Sequence, residues 1–391
     1  MILLRRPSPL SATVLVSIGF LSALIHSQFG LAADDSTTCS SDLEPSVACS
    51  TRQLRMNDLQ MIGSHNSYKQ AIPAAELELI REANPRSAMT LDYYHAPLVE
   101  QLDLGLRQIE LDIVYDPEGG RYVDPLLPRL VAATNSADAL EHAYSSEGMD
   151  APGFKVLHVQ DIDVRTHCKT WIECLDQIKD WSERNPTHSP LLIMFNAKEG
   201  GNSYPGTIEA LKFTPEAYAA LENEILKVFA REKLIVPDDI RAGHSTLREG
   251  VIENGWPLLE DVLGKVFFAL DEGQAKVEIY LGENKSAEGK LIFPNSVSEE
   301  ADHAAYFTLN DPIGQQARIA AAVDAGFIVR TRADANTLQA RENDTASREA
   351  AFQSGAHYIS TDYYYPRLEF SDYSVALPGG SPARLNPVRQ Q

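Results

Sequence analysis

A chain of 391 residues with 44% hydrophobic and 23% charged side chains can bury a large core, and this composition excludes a disulfide miniprotein, a collagen or a coiled coil. Acidic residues number 55 against 34 basic ones, for a net charge of −21. Such a body repels nucleic acid and gains nothing from general attraction to anionic membranes, so an anionic substrate requires a local offset, either a bound cation or a small basic pocket.

Residues 1–33 place Arg5 and Arg6 before an apolar run from Ala12 to Ile25 and small residues from Gly30 to Ala33. This is the pattern of a cleaved secretory signal, with an uncleaved anchor as the alternative; the apolar run is short for a span. Without the two arginines the charge is −23. A secreted or periplasmic location follows. The cysteines fall into two close pairs, Cys39 with Cys49 and Cys168 with Cys174, which in an exported chain predicts two local disulfides. Residues 34–52 are polar and turn-rich and read as a lead-in pinned by the first pair.

Apolar runs of β character then recur: Leu59–Gly63, Leu106–Val114, Phe154–Val159, Leu191–Asn196, Val266–Asp271, Leu291–Pro294, Phe327–Thr331 and Tyr358–Asp362. Most are apolar throughout, as strands buried on both faces are. Helical patterns occupy Thr170–Glu183, Pro215–Arg231, Pro312–Ala325 and Ser347–Ser354, the last stopping at Gly355. Strands alternating with helices predict an α/β fold, and eight runs predict a (β/α)8 TIM-type barrel, irregular in detail, over residues 53–377 as one domain. An open doubly wound sheet normally carries a glycine-rich phosphate loop, and neither GxGxxG nor GxxxxGK[ST] occurs. The stretches 64–100 and 116–153 read as polar loops, and 378–391, rich in Pro and Gly, as an irregular tail.

Barrel chemistry sits at the C-terminal ends of the strands. There the first run continues into His65 and Asn66, the second carries Glu110 and Asp112, the third ends near His158, and the fourth ends in Asn196 with Lys198 and Glu199 beyond. Glu110 and Asp112 are two apart and share one strand face, whereas Arg107 at an odd offset takes the other. Two buried carboxylates on one face need a partner, either a barrel lysine or arginine or a cation. With an asparagine oxygen nearby, the donor set is all oxygen and suits Ca2+ or Mg2+ over zinc.

The segments GSHNSYK (63–69), LRQIELDIVYD (106–116), FKVLHVQDID (154–163) and CLDQIKDWSERNPTHSPLLIMFNAK (174–198) resemble the calcium-dependent phosphatidylinositol-specific phospholipase C family, with looser similarity in VRTRADA (329–335) and GAHYISTDYY (355–364). The resemblance implies His65 and His158 as catalytic and Ca2+ held by Asn66, Glu110 and Asp112, with Asn196 at the position of a further ligand and Lys198 placed for the substrate phosphate; Arg330 is a candidate for substrate contact. It also implies phosphatidylinositol as substrate, with transient contact with a membrane surface; the acidic charge argues against a nucleic-acid partner, and a monomer is expected. The family usually presents a carboxylate where this chain has Asn196, so either the amide ligates or Glu199 swings in. Arg330 and Arg332 suit phosphate contact and buried salt bridges equally, and Tyr363–Tyr365 suit an interfacial tip or a barrel cap. A glycerophosphodiester phosphodiesterase would share the barrel but opens with His-Arg where this chain has His65-Asn66. A catalytically silent headgroup-binding module is the reading from a different class.

Overall fold

The computed structural model describes residues 54–389. Ten strands form one sheet: β1 (Leu59–Ser64), β2 (Gln108–Asp116), β3 (Gly153–Val156), β4 (Leu191–Lys198), β5 (Val266–Leu270), β6 (Ile292–Pro294), β7 (Tyr306–Thr308), β8 (Ile328–Arg332), β9 (Tyr358–Thr361) and β10 (Ala383–Leu385). Eight of these, in the order β6-β5-β4-β2-β1-β9-β8-β7, are parallel neighbours and make a nearly closed barrel, an irregular TIM fold. Closure between β6 and β7 rests on one parallel bridge, Asn295 to Tyr306. It is reinforced by Ser296 N donating to Tyr306 O at 3.0 Å and Thr308 N to the Asn295 side-chain oxygen at 2.8 Å.

Continuous apolar strands are buried on both sides because helices cover the outer face. Phe195 and Phe268 point outward onto Trp171, with ring centroids 5.5 and 6.0 Å away, and Trp171 opens the helix Trp171–Arg184. Thr170 caps that helix by accepting from Glu173 N, and its apolar face carries Trp171, Leu175, Ile178 and Trp181 into the core. Burying a large side chain of this kind contributes about 1.5–3 kcal/mol. The interior is lined by the alternate residues, among them Phe267 against Tyr358 and Phe293. Gly63 is needed by close approach: a Cβ there would run into the Gln108 side chain, which crosses to donate to Ser64 O at 3.0 Å.

Four sequence expectations change. The run at Phe154–Val159 is not a barrel strand; β3 pairs antiparallel with β2 as a side ribbon. The barrel strand that replaces it is β7, three residues long and too short to stand out from its surroundings. The stretches 64–100 and 116–153 contain helices, including Ala74–Ala83, Pro85–Leu91 and Leu126–Ala132. The tail is not wholly irregular, since β10 adds antiparallel to β1 with Leu385 opposite Leu59. The four helical patterns are realised as Trp171–Arg184, Pro215–Val228, Gln316–Asp324 and Ala346–Gln353. Cys168 and Cys174 form a disulfide, while the Cys39–Cys49 pair and the signal segment lie outside the described residues. Among the described residues no helix is long and apolar enough to cross a membrane.

Candidate active site

At the end of β1 the chain turns sharply. His65 N still pairs with Thr361 O of β9 at 3.1 Å, and Asn66 adopts φ 48°, a left-handed conformation that asparagine tolerates better than most residues. The turn aims the His65 ring across the mouth of the barrel. Its Nδ1 lies 2.9 Å from Asp362 Oδ1, just beyond β9, so Nδ1 carries the proton and Nε2 is left as the acceptor. Burial and the nearby Arg332 guanidinium pull the imidazole down to about 3, with Asp362 opposing them, so the ring is neutral. Against its own burial, Asp362 is held well below the usual carboxylate range by His65, His95 and Arg332. Behind it, Asp334 fixes the turn by accepting from Asp362 N at 2.8 Å.

The face assignment made from spacing is realised: Glu110 and Asp112 point inward, while Arg107 points outward and lies over Trp181. Each acid has a basic partner, as one of the two sequence alternatives requires. Arg330 NH2 binds Glu110 Oε2, and Lys198 Nζ lies 3.0 Å from Asp112 Oδ2, which also accepts from Tyr68 OH at 3.1 Å. Burial pushes Glu110 up to about 7 despite Arg330, with Asp271 and Asp112 adding to the rise. The other oxygens remain unspent. Glu110 Oε1 faces His65 Nε2 at 3.8 Å, and Asp112 Oδ1 and Asn66 Oδ1 are buried with no hydrogen-bond partner among the described residues.

His158 follows the β3 ribbon. The tight turn after it brings Asp163 back, with Asp163 N donating to Val159 O at 2.9 Å, so that Asp163 Oδ2 receives His158 Nδ1 at 2.8 Å. Asp163 also pairs with the fully buried Lys69 at 3.1 Å. Against its burial, Lys69 and His158 hold Asp163 below the ordinary carboxylate value. The two histidines converge on Tyr93, whose ring centroid lies 5.7 Å from that of His65 and 6.4 Å from that of His158. Tyr93 OH accepts from the Asn66 amide at 2.7 Å. Each histidine is 17% exposed, so their outer edges meet solvent in the same mouth.

Around this centre the remaining candidates separate. Asn196 is level with Asp112 in the β2–β4 register, and its amide nitrogen donates to Asp271 O. Glu199 is turned away, accepting from Phe213 N at 3.0 Å. Arg330 is fully buried among Glu110, Asn310 and Ser360, which leaves Arg332, 17% exposed beside His65, as the arginine at the mouth. Tyr363 is buried, Tyr364 stacks on His95, and Tyr365 is 54% exposed. A cleft of about 290 Å³ lined by Tyr93, Tyr94, His95, Asp362 and Tyr364 opens beside His65.

The donors present fit a hard cation by chemistry, since Asn66 Oδ1, Asp112 Oδ1 and Glu110 Oε1 are oxygens with unused lone pairs at the mouth. No three Asp, Glu, His or Cys side chains among the described residues are gathered at ligand spacing, and Arg330 and Lys198 hold the two acids of β2. Sequence reasoning missed Asp163, Asp271 and Asp362. Asp271 and Asp362 close the fifth and last apolar runs, so the strand-end rule applied to all runs finds both. Asp163 is signalled only by its short distance from His158.

Such a barrel mouth, with two carboxylate-backed histidines over an acidic pair, belongs to the class of barrel phosphodiesterases. Residues 54–387 match the family described as phosphoinositide phospholipase C, Ca2+-dependent, and the chain belongs to that family of calcium-dependent enzymes. Among solved structures, the fold is similar to a calcium-dependent phosphoinositol-specific phospholipase C from a Gram-negative bacterium, Pseudomonas sp, in its apo form (TM-score 0.52, 17% identity, covering 88% of this chain and 98% of that one). The same enzyme in its myoinositol complex gives the same values. A Ca2+-dependent phosphatidylinositol-specific phospholipase C from Streptomyces antibioticus gives a TM-score of 0.49 at 17% identity, covering 79% of this chain and 95% of that one. No curated protein matches this sequence.

Proposed function

We propose that the protein is a secreted phosphodiesterase that cleaves phosphatidylinositol to diacylglycerol and a cyclic inositol phosphate. The observation that carries this reading is the pair of imidazoles beside Tyr93, each holding a carboxylate through Nδ1 and turning its other edge to the mouth that contains Glu110. The inositol 2-hydroxyl attacks phosphorus within the same molecule, so proximity takes the place of a protein nucleophile. The O2–P bond forms while the bond from phosphorus to the glycerol oxygen breaks. The hydroxyl proton passes to the His65–Glu110 pair, and His158 Nε2 returns a proton to the departing oxygen.

Asp362 and Asp163 hold the rings in register and stabilise their charged forms. Lys198 and Arg332 face the phosphate. Asn66, Glu110 and Asp112 would hold Ca2+, which when bound supplies positive charge for the phosphoryl oxygens and acidifies the hydroxyl. One divalent cation would supply local positive charge at the reaction centre of a body whose net charge is −21. Export is supported by residues 1–33 and by the Cys168–Cys174 disulfide. Exposed Tyr94, Tyr365 and Leu368 near the cleft suit transient contact with a lipid surface by a monomer.

The test is release of diacylglycerol from phosphatidylinositol with calcium present, with glycerophosphocholine as the rival substrate. His158→Ala is expected to lower the rate by about 10²–10⁴-fold, and EGTA to abolish turnover. Turnover of glycerophosphocholine alone, an unchanged rate in the variant, or activity indifferent to EGTA would each remove the corresponding part of the reading. Absence of turnover on both substrates, with headgroup binding retained, would leave the silent module.

A further inference from the structure

The chain lacks a carboxylate at Asn196, yet the barrel mouth is not short of one. Asp271 follows β5 directly, and its N–H continues the β4–β5 ladder by donating to Phe195 O at 2.9 Å. Since Phe195 pairs with Leu270, Asn196 and Asp271 stand level, as Asp112 and Asn196 do one strand over. Side-chain parity gives the direction. Phe268 packs outward on Trp171 and Phe229, so Ala269 and Asp271 face the barrel axis. The Asp271 carboxylate lies within electrostatic range of Arg330, Asp112 and Lys198 as well as Glu110. Independently, Asp112 Oδ1 and Asn66 Oδ1 are buried without a hydrogen-bond partner among the described residues, and each residue is 1% exposed. The Asn196 amide nitrogen is spent on the Asp271 carbonyl, so Asn196 props the peptide that carries this acid.

We propose that Asp271 supplies the carboxylate absent at Asn196, so that the metal site of this chain is Asn66, Glu110, Asp112 and Asp271, the acid having moved one strand around the barrel. The proposal rests on the calcium reading above. Glu110, Asp112 and Asp271 stand together beside Arg330 and Lys198, so the acids at this level outnumber the cations paired directly with them. A neutral Asn196 at the same level avoids a fourth acid among these part-buried groups, where like charges repel.

The experiment measures Ca2+ affinity by calorimetry on the full protein, and counts metal-bound waters from Tb3+ luminescence lifetimes in H2O and D2O. Asp271→Asn is expected to weaken Ca2+ binding by about tenfold or more and to admit about one additional water. Moving the acid back, with Asn196→Asp added to Asp271→Asn, is expected to recover most of that loss. Should Asp271→Asn fold poorly, Asn196→Asp alone decides: it changes affinity by less than about threefold if Asp271 already ligates, and tightens it by about tenfold or more if the site lacks an acid. An Asp271→Asn protein with wild-type affinity and water count overturns the proposal while leaving calcium binding in place. A wild-type protein that binds neither ion overturns the calcium reading itself.

Discussion

Lys69 is fully buried, and three neighbours compensate its ammonium for lost water: Asp163 at 3.1 Å, the Gln70 carbonyl at 3.4 Å and the Tyr93 ring face at 5.0 Å. Asp163 therefore serves two groups, fixing the His158 ring and neutralising Lys69. Asp163→Asn is expected to cost about 3–5 kcal/mol of folding free energy, because it leaves a buried cation unpaired, and to slow turnover by releasing His158. Urea unfolding alongside kcat and KM checks this; a loss of stability with kcat unchanged would show that the carboxylate serves Lys69 alone. Since Asp163 titrates below its ordinary 3.8 in the folded chain, its contribution is complete above that value and is lost as pH falls below it. At this scale the inward face of Glu110 and Asp112 was legible, because a strand's period of two needs no tertiary information. Their bond partners were not: Arg330 lies 220 positions from Glu110 in the chain, and only barrel closure brings them together.

Among the elements, the apolar content of a run marks burial but not its partner strand. Phe154 and Val156 are as buried as barrel residues, with Phe154 packed against Tyr115 and Phe213, yet the run pairs antiparallel on the rim. Conversely, β7 is legible only after closure, since three residues carry no period. This leaves the β6–β7 seam as the weakest line of the barrel. Asn295 bridges it, accepting from Thr308 N at 2.8 Å and donating to Glu272 O at 3.2 Å. Asn295→Ala is expected to remove about 1–3 kcal/mol, the cost of stranding a backbone N–H. It should also speed amide exchange in Tyr306–Thr308 more than in the central pair β2 and β4. Uniform acceleration across all strands would indicate that the barrel opens as one unit rather than along this seam.

For the whole molecule, the net charge of −21 sets a boundary on how such an enzyme meets its lipid. Phosphatidylinositol bilayers are themselves anionic, so long-range forces oppose approach, and under the proposed function attachment would depend on short-range contacts from exposed residues such as Tyr94, Tyr365 and Leu368 around the cleft. Repulsion between like-charged surfaces acts over the screening length, about 30 Å at 0.01 M and about 10 Å at 0.1 M salt, whereas apolar contact is not screened. The two forces therefore separate with ionic strength. With the His158→Ala protein in EGTA, so that lipid is not consumed and no calcium bridges the surfaces, the fraction bound to phosphatidylinositol vesicles is expected to rise between about 20 mM and about 200 mM salt. Binding to neutral phosphatidylcholine vesicles should change little over the same range. A protein held by a local basic face would give the opposite slope on the anionic vesicles, because added salt weakens attraction as readily as repulsion. Co-sedimentation at several salt concentrations reads the sign directly. A falling curve would mean that cations at the rim, with Arg332 and Arg367 the nearest to the cleft, outweigh the acidic body.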